Sequence, residues 1–417
     1  MSMTTHLNGS APRPRRSRGF TLVELMVAMA LGLLLTAAMV YVYLSSKTAF
    51  SRQQQLGTVQ QSVRTAFEFL SSDARMVGHM GCFTGKPTTA TTEFNSSLSA
   101  TAIGTNYAVG VEGYEYSNAT TDVYALTSAA PSDITTASSW KTNVDTNGIV
   151  TLPLSTIAGT GNGLTPGSDV LVIRTVSGRP VRIAANANTG SNQTTFTIET
   201  AAANGETCSD GSTAKVSGLC ANSHALIASC TRARVFQISS ITAGVAPAAS
   251  TLTLAAPGLG ADPVYTPDAT EVFPMQTIAY YVKKSSSGTT TSLYRRIFDG
   301  DNATGLEQEL IEGVENLQLR YGVDTTTPTP DGVVDKYVAA KGPVGDATDS
   351  VTDWSRVVAV RMGLLVRSTL PIEGDLASSL PASAPVNGVA VSFPTSGTKY
   401  DRRVFTTTVA VRNRIAY

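Results

Sequence analysis

One apolar run near the N-terminus constrains this chain more than any other feature. The 25 residues from Phe20 to Leu44 contain a single charged side chain, Glu24. A membrane-crossing helix needs ~20 consecutive apolar residues. Four arginines and no acidic residue lie in the first 19 residues, and the positive-inside rule keeps such a segment cytoplasmic. The sequence predicts a single-pass anchor with residues 1–19 in the cytoplasm and everything after Leu44 exported.

The run is expected to stay with the protein as an anchor. A secretory signal peptide has a small-residue cleavage site after its apolar stretch, whereas this chain continues as Ser45-Ser46-Lys47. A carboxylate inside a membrane helix costs ~2.5–3.5 kcal/mol on insertion scales, which makes Glu24 a functional candidate. The alternative is that Glu24 only reaches the nearby interface.

Beyond Leu44 the apolar residues follow a helical period. They occur at Leu56, Val59, Val63, Phe67, Leu70, Ala74 and Val77. Steps of three and four residues place them on one helix face, and Gly78 and Gly81 are stop signals. We predict a helix over 20–77, with a transmembrane part (20–44) and an amphipathic stalk (45–77). Residues 53–77 of this stalk are expected to pack on the protein's own head.

The remaining chain has a β pattern. Eight segments are rich in β-branched and aromatic residues and are separated by polar loops, as strands are: residues 169–176, 195–200, 233–238, 277–282, 294–298, 317–321, 357–366 and 404–411. We therefore expect an α+β fold in which the long helix precedes an antiparallel head. The head is divided into a variable part (78–270) and a more regular part (271–417).

Composition argues against an enzyme. Charged residues are 15% of the chain, net charge is zero, and there are only three histidines and four cysteines. No Ser/His/Asp set, phosphate-binding loop or paired carboxylates are evident, and His224 does not make a zinc site without convergent ligands. We expect no catalytic residues, no cofactor and no metal.

Two weaker motifs have ordinary interpretations. Asp324, Asp331 and Asp335 resemble a calcium loop faintly, but their spacing is too loose for an EF-hand, and a plain acidic turn is favoured. The pairs Arg232/Arg234, Arg295/Arg296 and Arg402/Arg403 lie in strand-like segments, where such side chains more often meet solvent or a neighbouring acid. We expect no nucleic-acid binding.

The four cysteines, Cys82, Cys208, Cys220 and Cys230, all lie on the exported side. Disulfides are the default in an oxidising compartment, and four cysteines allow three connectivities. Cys208 and Cys220 flank a short Gly/Ser loop. We favour Cys208–Cys220 and Cys82–Cys230, the second tying the helix exit to the sheet, and the connectivity stays open.

The segment Gly19-Phe20-Thr21-Leu22-Val23-Glu24 resembles the class III signal of type IV prepilins and of type II secretion pseudopilins. The resemblance implies that a prepilin peptidase cuts after Gly19 and methylates the new terminal Phe20. It also implies that Glu24 pairs with the N-terminus of a neighbouring subunit during assembly. A buried carboxylate needs such a cationic partner.

Further segments narrow the resemblance. The PilW family of type IV pilus minor pilins is resembled by residues 310–324, Trp354–Arg361, Leu364–Ser368 and Thr406–Arg414, and also by the stretch from Arg75 to Cys82. The likeness covers residues 15–83 and about 224–417.

The PilW resemblance implies a non-catalytic subunit that primes pilus assembly and sits at or near the fibre tip. Its implied partners are prepilin peptidase, the major pilin, other minor pilins and a tip adhesin. Its implied location is the inner membrane with a periplasmic head, and then the pilus.

Two competing functions share these features. A minor pseudopilin of a type II secretion system has the same N-terminal signal and an α+β head, and the PilW-like segments favour the pilus instead. A DNA-uptake or adhesion subunit is the third hypothesis, and DNA binding would weaken steeply with salt if phosphates were engaged.

The first prediction concerns processing. If Gly19–Phe20 is the cleaved bond, the mature chain begins at Phe20 and carries an N-methyl group. Intact-mass analysis of the protein from piliated cells measures this directly. An uncut chain beginning at Met1 in such cells would contradict it.

Overall fold

The structure is a computed structural model, and it describes most of the chain after residue 18. The described residues are 19–83, 93–98, 103–116, 123–126, 140–144, 148–151, 164–184, 193–200, 208, 216, 218–244, 249–259, 265–288, 290–300, 305–341, 349–372 and 380–411. The predicted leader lies, except for Gly19, outside them. The chain forms two compact units, one up to Gly57 and one from Thr58 onward.

One long helix, α1 (Leu22–Arg75, 54 residues), opens the described chain. It is two residues shorter at each end than the predicted 20–77. Thr21 precedes the first turn, and Gly78 and Gly81 follow the last turn with positive φ angles of 67° and 65°. Glycine adopts that conformation without the strain that a Cβ would cause, so the helix ends where the sequence placed its stop signals.

Strands make up the head, as predicted. They are β1 (Phe94–Ser96), β2 (Val111–Tyr116), β3 (Val123–Ala125), β4 (Trp140–Val144), β5 (Gly148–Thr151), β6 (Val170–Val176), β7 (Val181–Arg182), β8 (Thr195–Ile198), β9 (His224–Ala228), β10 (Ala233–Thr242), β11 (Ser250–Leu254), β12 (Glu271–Lys284), β13 (Thr291–Phe298), β14 (Leu306–Glu312), β15 (Val314–Val323), β16 (Lys336–Val338), β17 (Val357–Arg367), β18 (Ser383–Val386), β19 (Val389–Ser392) and β20 (Arg402–Ala410). Each of the eight predicted segments overlaps one of these strands.

Three sheets result. The largest has 13 strands along the order β5-β4-β2-β6-β12-β9-β10-β11-β8, with β1, β7, β13 and β14 paired to its sides. A four-stranded sheet has the order β16-β15-β17-β20, and a small one the order β18-β19-β3. Nearly all pairs are antiparallel, the exceptions being the short pairs β1–β10 and β3–β19. The α+β pilin-like fold class is confirmed.

Strand β12 joins the two expected parts of the head. It begins at Glu271, where the boundary was expected, and pairs with β6 and β9 from the earlier part and with β13 from the later part. The 14 residues of β12 give it enough length for several partners. The two parts of the head therefore share one sheet.

One face of the last part of α1, from Val59 onward, is buried in the head. Val59, Val63, Leu70 and Ala74 of the predicted stripe are buried, as is Val77 just beyond the helix. They share one apolar cluster with residues of β2, β6 and β12 from the large sheet and of β15 and β17 from the four-stranded sheet. The apolar stripe between Val59 and Val77 therefore packs on the protein's own head. Ala66, absent from the predicted stripe, is completely buried.

A short segment before β6 connects the large sheet to β15. The Asp169 backbone amide donates to the Leu317 carbonyl (2.8 Å), and the Leu319 amide donates to the Asp169 carboxylate (2.8 Å). The Leu317 amide donates to the Ser168 hydroxyl (3.1 Å). These bonds lie in the protein interior. They satisfy backbone groups on the side of β15 that faces away from β17, where β16 pairs only with residues 321–323.

We predict that Asp169→Ala destabilises the head by ~1.5–3 kcal/mol, because the buried Leu319 amide loses a charged acceptor. Asp169→Asn keeps an acceptor oxygen and should cost less. Urea unfolding of the mature, detergent-solubilised protein measures both. Asp349→Ala is the control, since it removes only a partly exposed ion pair with Arg320 that is worth at most ~1 kcal/mol. Equal losses for Asp169→Ala and Asp349→Ala would contradict the role given to Asp169.

Candidate functional site

The N-terminus of α1 has a defined hydrogen-bonding geometry. The Leu25 amide donates to the Thr21 carbonyl (3.1 Å), which is the first bond of the helix. The Glu24 amide donates to the Thr21 hydroxyl oxygen (3.3 Å), and that hydroxyl lies 3.5 Å from a Glu24 carboxylate oxygen. Thr21 is therefore the N-cap, and Thr21 and Glu24 have the Thr-x-x-Glu spacing of a capping box. A carboxylate in the first turn is also favoured by the helix dipole.

Around this cap the apolar side chains are open. Phe20 is 84% exposed, Leu22 75% and Val23 69%. Exposure of large apolar residues continues to Leu44 and to Phe50. A carboxylate surrounded by exposed apolar side chains can bind a cationic group that belongs to a molecule with an apolar surface. By length and composition α1 is a helix that could cross a membrane.

Gly19 is not required by the protein's own packing. A Cβ added at this position would meet no atom within 4 Å, and Gly19 does not have a positive φ angle. A larger residue would therefore fit here. A requirement for glycine at position 19 would have to come from a molecule that acts on the chain.

Both disulfides have the favoured connectivity. Cys82 is joined to Cys230 across 148 residues, and Cys208 to Cys220 across 12. The first ties the segment after α1 to the turn between β9 and β10. Cys82 and Cys230 are exposed, whereas Cys208 and Cys220 are each 5% exposed.

The acidic turn uses its carboxylates internally. Asp324 accepts hydrogen bonds from the amides of Gly332 (2.7 Å) and Thr326 (3.0 Å). Burial acts to raise the pKa of Asp324, but these bonds outweigh it and the pKa is lowered. Bonds from Thr325 likewise lower the pKa of Asp335. The Arg356 guanidinium donates to the carbonyls of Asp324 and Thr326, so a cation of the chain itself occupies this turn.

The pairs Arg295/Arg296 and Arg402/Arg403 contact acids of the same chain. The contacts are Arg295 with Asp73 (3.8 Å), Arg296 with Glu307 (3.1 Å), Arg402 with Glu315 (2.7 Å) and Arg403 with Asp401 (3.2 Å). Arg234 is 4% exposed. These side chains do not form an open basic patch.

His224 is a buried side chain with a partner inside the head. His224 is buried on β9, and its Nδ1 lies 3.0 Å from the Tyr107 hydroxyl. Within the described ranges no three His, Cys, Asp or Glu side chains converge as metal ligands. The predicted site residues therefore separate into two places, with Gly19, Phe20 and Glu24 at the start of α1 and the cysteines in the head.

Thr21 was not predicted as the helix cap. The signal is present in the sequence, because Thr followed three residues later by Glu before an apolar run marks a helix start. The buried ion pair between Arg174 and Glu112 (2.8 Å) was not predicted either. No local pattern marks that pair, since its partners lie on different strands.

Two known protein families match parts of this chain. A family described as type IV pilus-assembly protein W matches residues 279–413, and the prokaryotic N-terminal methylation motif matches residues 14–40. No curated protein and no solved structure matches the chain significantly.

The helix, the head and the two family matches, which together cover less than half of the chain, support a pilin-like role in type IV pilus assembly. The resemblance to the PilW family is confirmed by the match over the C-terminal region. Proteins of this kind are generally non-catalytic.

We predict that the two disulfides differ in their reactivity toward a small thiol reductant. Cys82–Cys230 is open to direct attack, whereas Cys208–Cys220 first requires local opening. Even ~1.4 kcal/mol of opening free energy slows reduction about tenfold. Timed reduction, alkylation and peptide mapping of the folded protein measure the order. Earlier labelling of Cys208 and Cys220 would contradict the prediction, and free thiols before reduction would contradict both bridges.

Proposed function

We propose that this protein is a minor pilin that primes type IV pilus assembly and is located at or near the fibre tip. One observation carries the proposal. Glu24 is the only charge in a helix surface that is otherwise apolar and exposed from Phe20 to Leu44. Such a surface needs lipid before assembly and the apolar helices of other subunits afterwards.

The carboxylate gives this surface its specificity. In a low-dielectric environment an unpaired carboxylate is costly, and an ion pair with good geometry offsets much of that cost. After cleavage at Gly19, the α-amino group of Phe20 would be a cation at the end of an apolar helix. A neighbouring subunit of the same type would present such a group to Glu24.

The open environment of Gly19 supports processing by prepilin peptidase, because the chain's own packing does not select glycine there. The partners in this proposal are prepilin peptidase, the major pilin, other minor pilins and a tip adhesin. The protein would first reside in the inner membrane with its head in the periplasm and would then enter the pilus. It would act without catalysis.

Two other functions are tested by two experiments, gene deletion and a DNA-binding assay. A minor pseudopilin would serve type II secretion, and a DNA-uptake subunit would bind duplex DNA. Deletion of the gene should abolish or strongly reduce surface pili and twitching while leaving enzyme secretion normal. Lost secretion with normal pili would favour the pseudopilin. Salt-dependent DNA binding by the protein would favour the uptake function.

We predict that Glu24→Val leaves the protein inserted and processed but lowers pilus number at least about tenfold, since an ion pair worth only ~1.4 kcal/mol changes an equilibrium tenfold. Glu24→Gln, which removes the charge at nearly constant size, should be impaired as well. Pili per cell are counted beside an immunoblot for the cleaved form.

Glu68→Gln is the matched control. Glu68 is an exposed carboxylate on the same helix, and its loss should leave piliation unchanged. Full piliation with Glu24→Val at native expression would show that Glu24 only faces the membrane interface.

A further inference from the structure

Strand β20 lies at one end of the four-stranded sheet. It pairs with β17 through nine consecutive residues, from Arg402 opposite Arg367 to Ala410 opposite Ala359, without a register shift. Along its other side, no backbone group of residues 402–410 is paired in the part of the chain that the structure describes.

The register shows which groups point outward. The Val411 amide donates to the Val358 carbonyl, and the Ser368 amide donates to the Asp401 carbonyl. In an antiparallel pair, hydrogen-bonded residues alternate with residues whose N–H and C=O groups point away from the partner strand. The odd-numbered residues of β20 thus bond to β17, and the outward groups belong to Arg402, Val404, Thr406, Thr408 and Ala410.

Two other edge strands in the C-terminal part of the chain, β16 and β14, are protected against pairing. Strand β16, at the opposite end of the same sheet, has only three residues. Strand β14, at an edge of the large sheet, carries Glu307, Glu309 and Glu312, and its pairing contains a register shift. Short length, charges and irregularities are the usual devices against unwanted strand pairing.

Strand β20 has few of these devices. From Val404 to Ala410 it contains no charge, no proline and no register shift, and it includes three consecutive threonines. Thr406, Thr408 and Ala410 are exposed. An edge of this kind is a template for an additional strand.

We propose that β20 binds an extended segment of another pilus subunit, which adds as a fifth strand to this sheet. The proposal rests on the proposed function for the class of partner. Regularly spaced backbone donors and acceptors fit only an extended backbone. The uncharged centre of β20 suits a partner strand that is likewise uncharged in its middle.

Charge indicates how the partner strand ends. Arg403, whose side chain is 55% exposed although it contacts Asp401, lies at one end of β20, and the sequence continues beyond the other end with Arg412 and Arg414. A partner strand with acidic ends is complementary to this arrangement. Two copies of β20 pairing antiparallel would bring basic ends together, which is unfavourable. The partner is therefore a different subunit.

Proline substitution separates the two sides of β20. The Thr406 amide points away from β17, so Thr406→Pro removes an outward donor and places a ring against an incoming strand while the β17 bonds remain. Thr406→Ala is the matched control, because it shortens the same side chain and keeps the amide. Urea unfolding checks that both variants fold.

The readout is photo-crosslinking in piliated cells. p-Benzoylphenylalanine replaces Thr408 in the full-length chain, and the same probe replaces Val333, which is 59% exposed elsewhere on the head, as the control site. We expect an adduct between position 408 and another pilus subunit, mapped by mass spectrometry to a segment with acidic ends. This adduct should fall at least about tenfold with Thr406→Pro, through loss of a bond and steric exclusion, and persist with Thr406→Ala.

Three results would overturn the proposal. They are an adduct only with a second copy of this chain, an adduct with a pilus subunit that Thr406→Pro leaves unchanged, and no adduct from position 408 beyond that from position 333. If the proline variant does not fold, the adduct at position 408 in the otherwise unaltered chain decides alone. Gene deletion distinguishes the two proposals. If deletion abolishes pili but position 408 gives no adduct, the role in assembly stands and the proposal of strand binding at β20 is wrong.

Discussion

A single helix has to satisfy two environments, and the rest of the structure depends on this constraint. Up to Leu44 the apolar side chains of α1 are exposed on all sides, whereas from Val59 to Ala74 one stripe is buried in the head. Burial of a side chain such as Leu70 contributes ~1.5–3 kcal/mol. The head can fold only if its sheets supply an apolar surface for that stripe, and residues of both larger sheets do so in one cluster.

Polar groups in the interior then determine how the helix and the strands meet. The Asp73 carboxylate on α1 accepts a hydrogen bond from Tyr280 of β12 (2.5 Å) and lies 3.8 Å from Arg295 of β13. Burial raises the pKa of Asp73, and the Tyr280 bond and the Arg295 charge only partly offset this effect. Arg174 of β6 is 1% exposed, and it pairs with Glu112 of β2 and donates to the carbonyls of Ile103 and Val109. Since a buried charge without a partner is strongly destabilising, these contacts favour one arrangement of strands over its alternatives.

The sequence was most informative where structure depends on local pattern. The helix, its glycine stop and eight of the strands follow from periodicity and residue type, whereas the seven-residue strand β14 was not predicted. The hairpin of β18 and β19 was missed, although Asn387-Gly388 at its turn is a strong hairpin signal, and Asn387 has the required positive φ angle of 48°. Ala66 was missed because alanine is apolar but weakly diagnostic. Strand order and the Arg174–Glu112 pair could not be predicted, since they join residues far apart in the chain.

The two surfaces discussed above would recognise partners in different ways. Apolar helix packing is tolerant, because many apolar side chains of similar size fill the same grooves, and Glu24 would add one charge requirement common to every subunit with a free N-terminus. Strand addition is more demanding, since a shift of one residue turns every side chain of the added strand to the opposite face. A subunit with only the helix could join a fibre anywhere along its length. Under these proposals the helix would allow the protein to be incorporated into the fibre, and the β20 edge would select the neighbouring subunit.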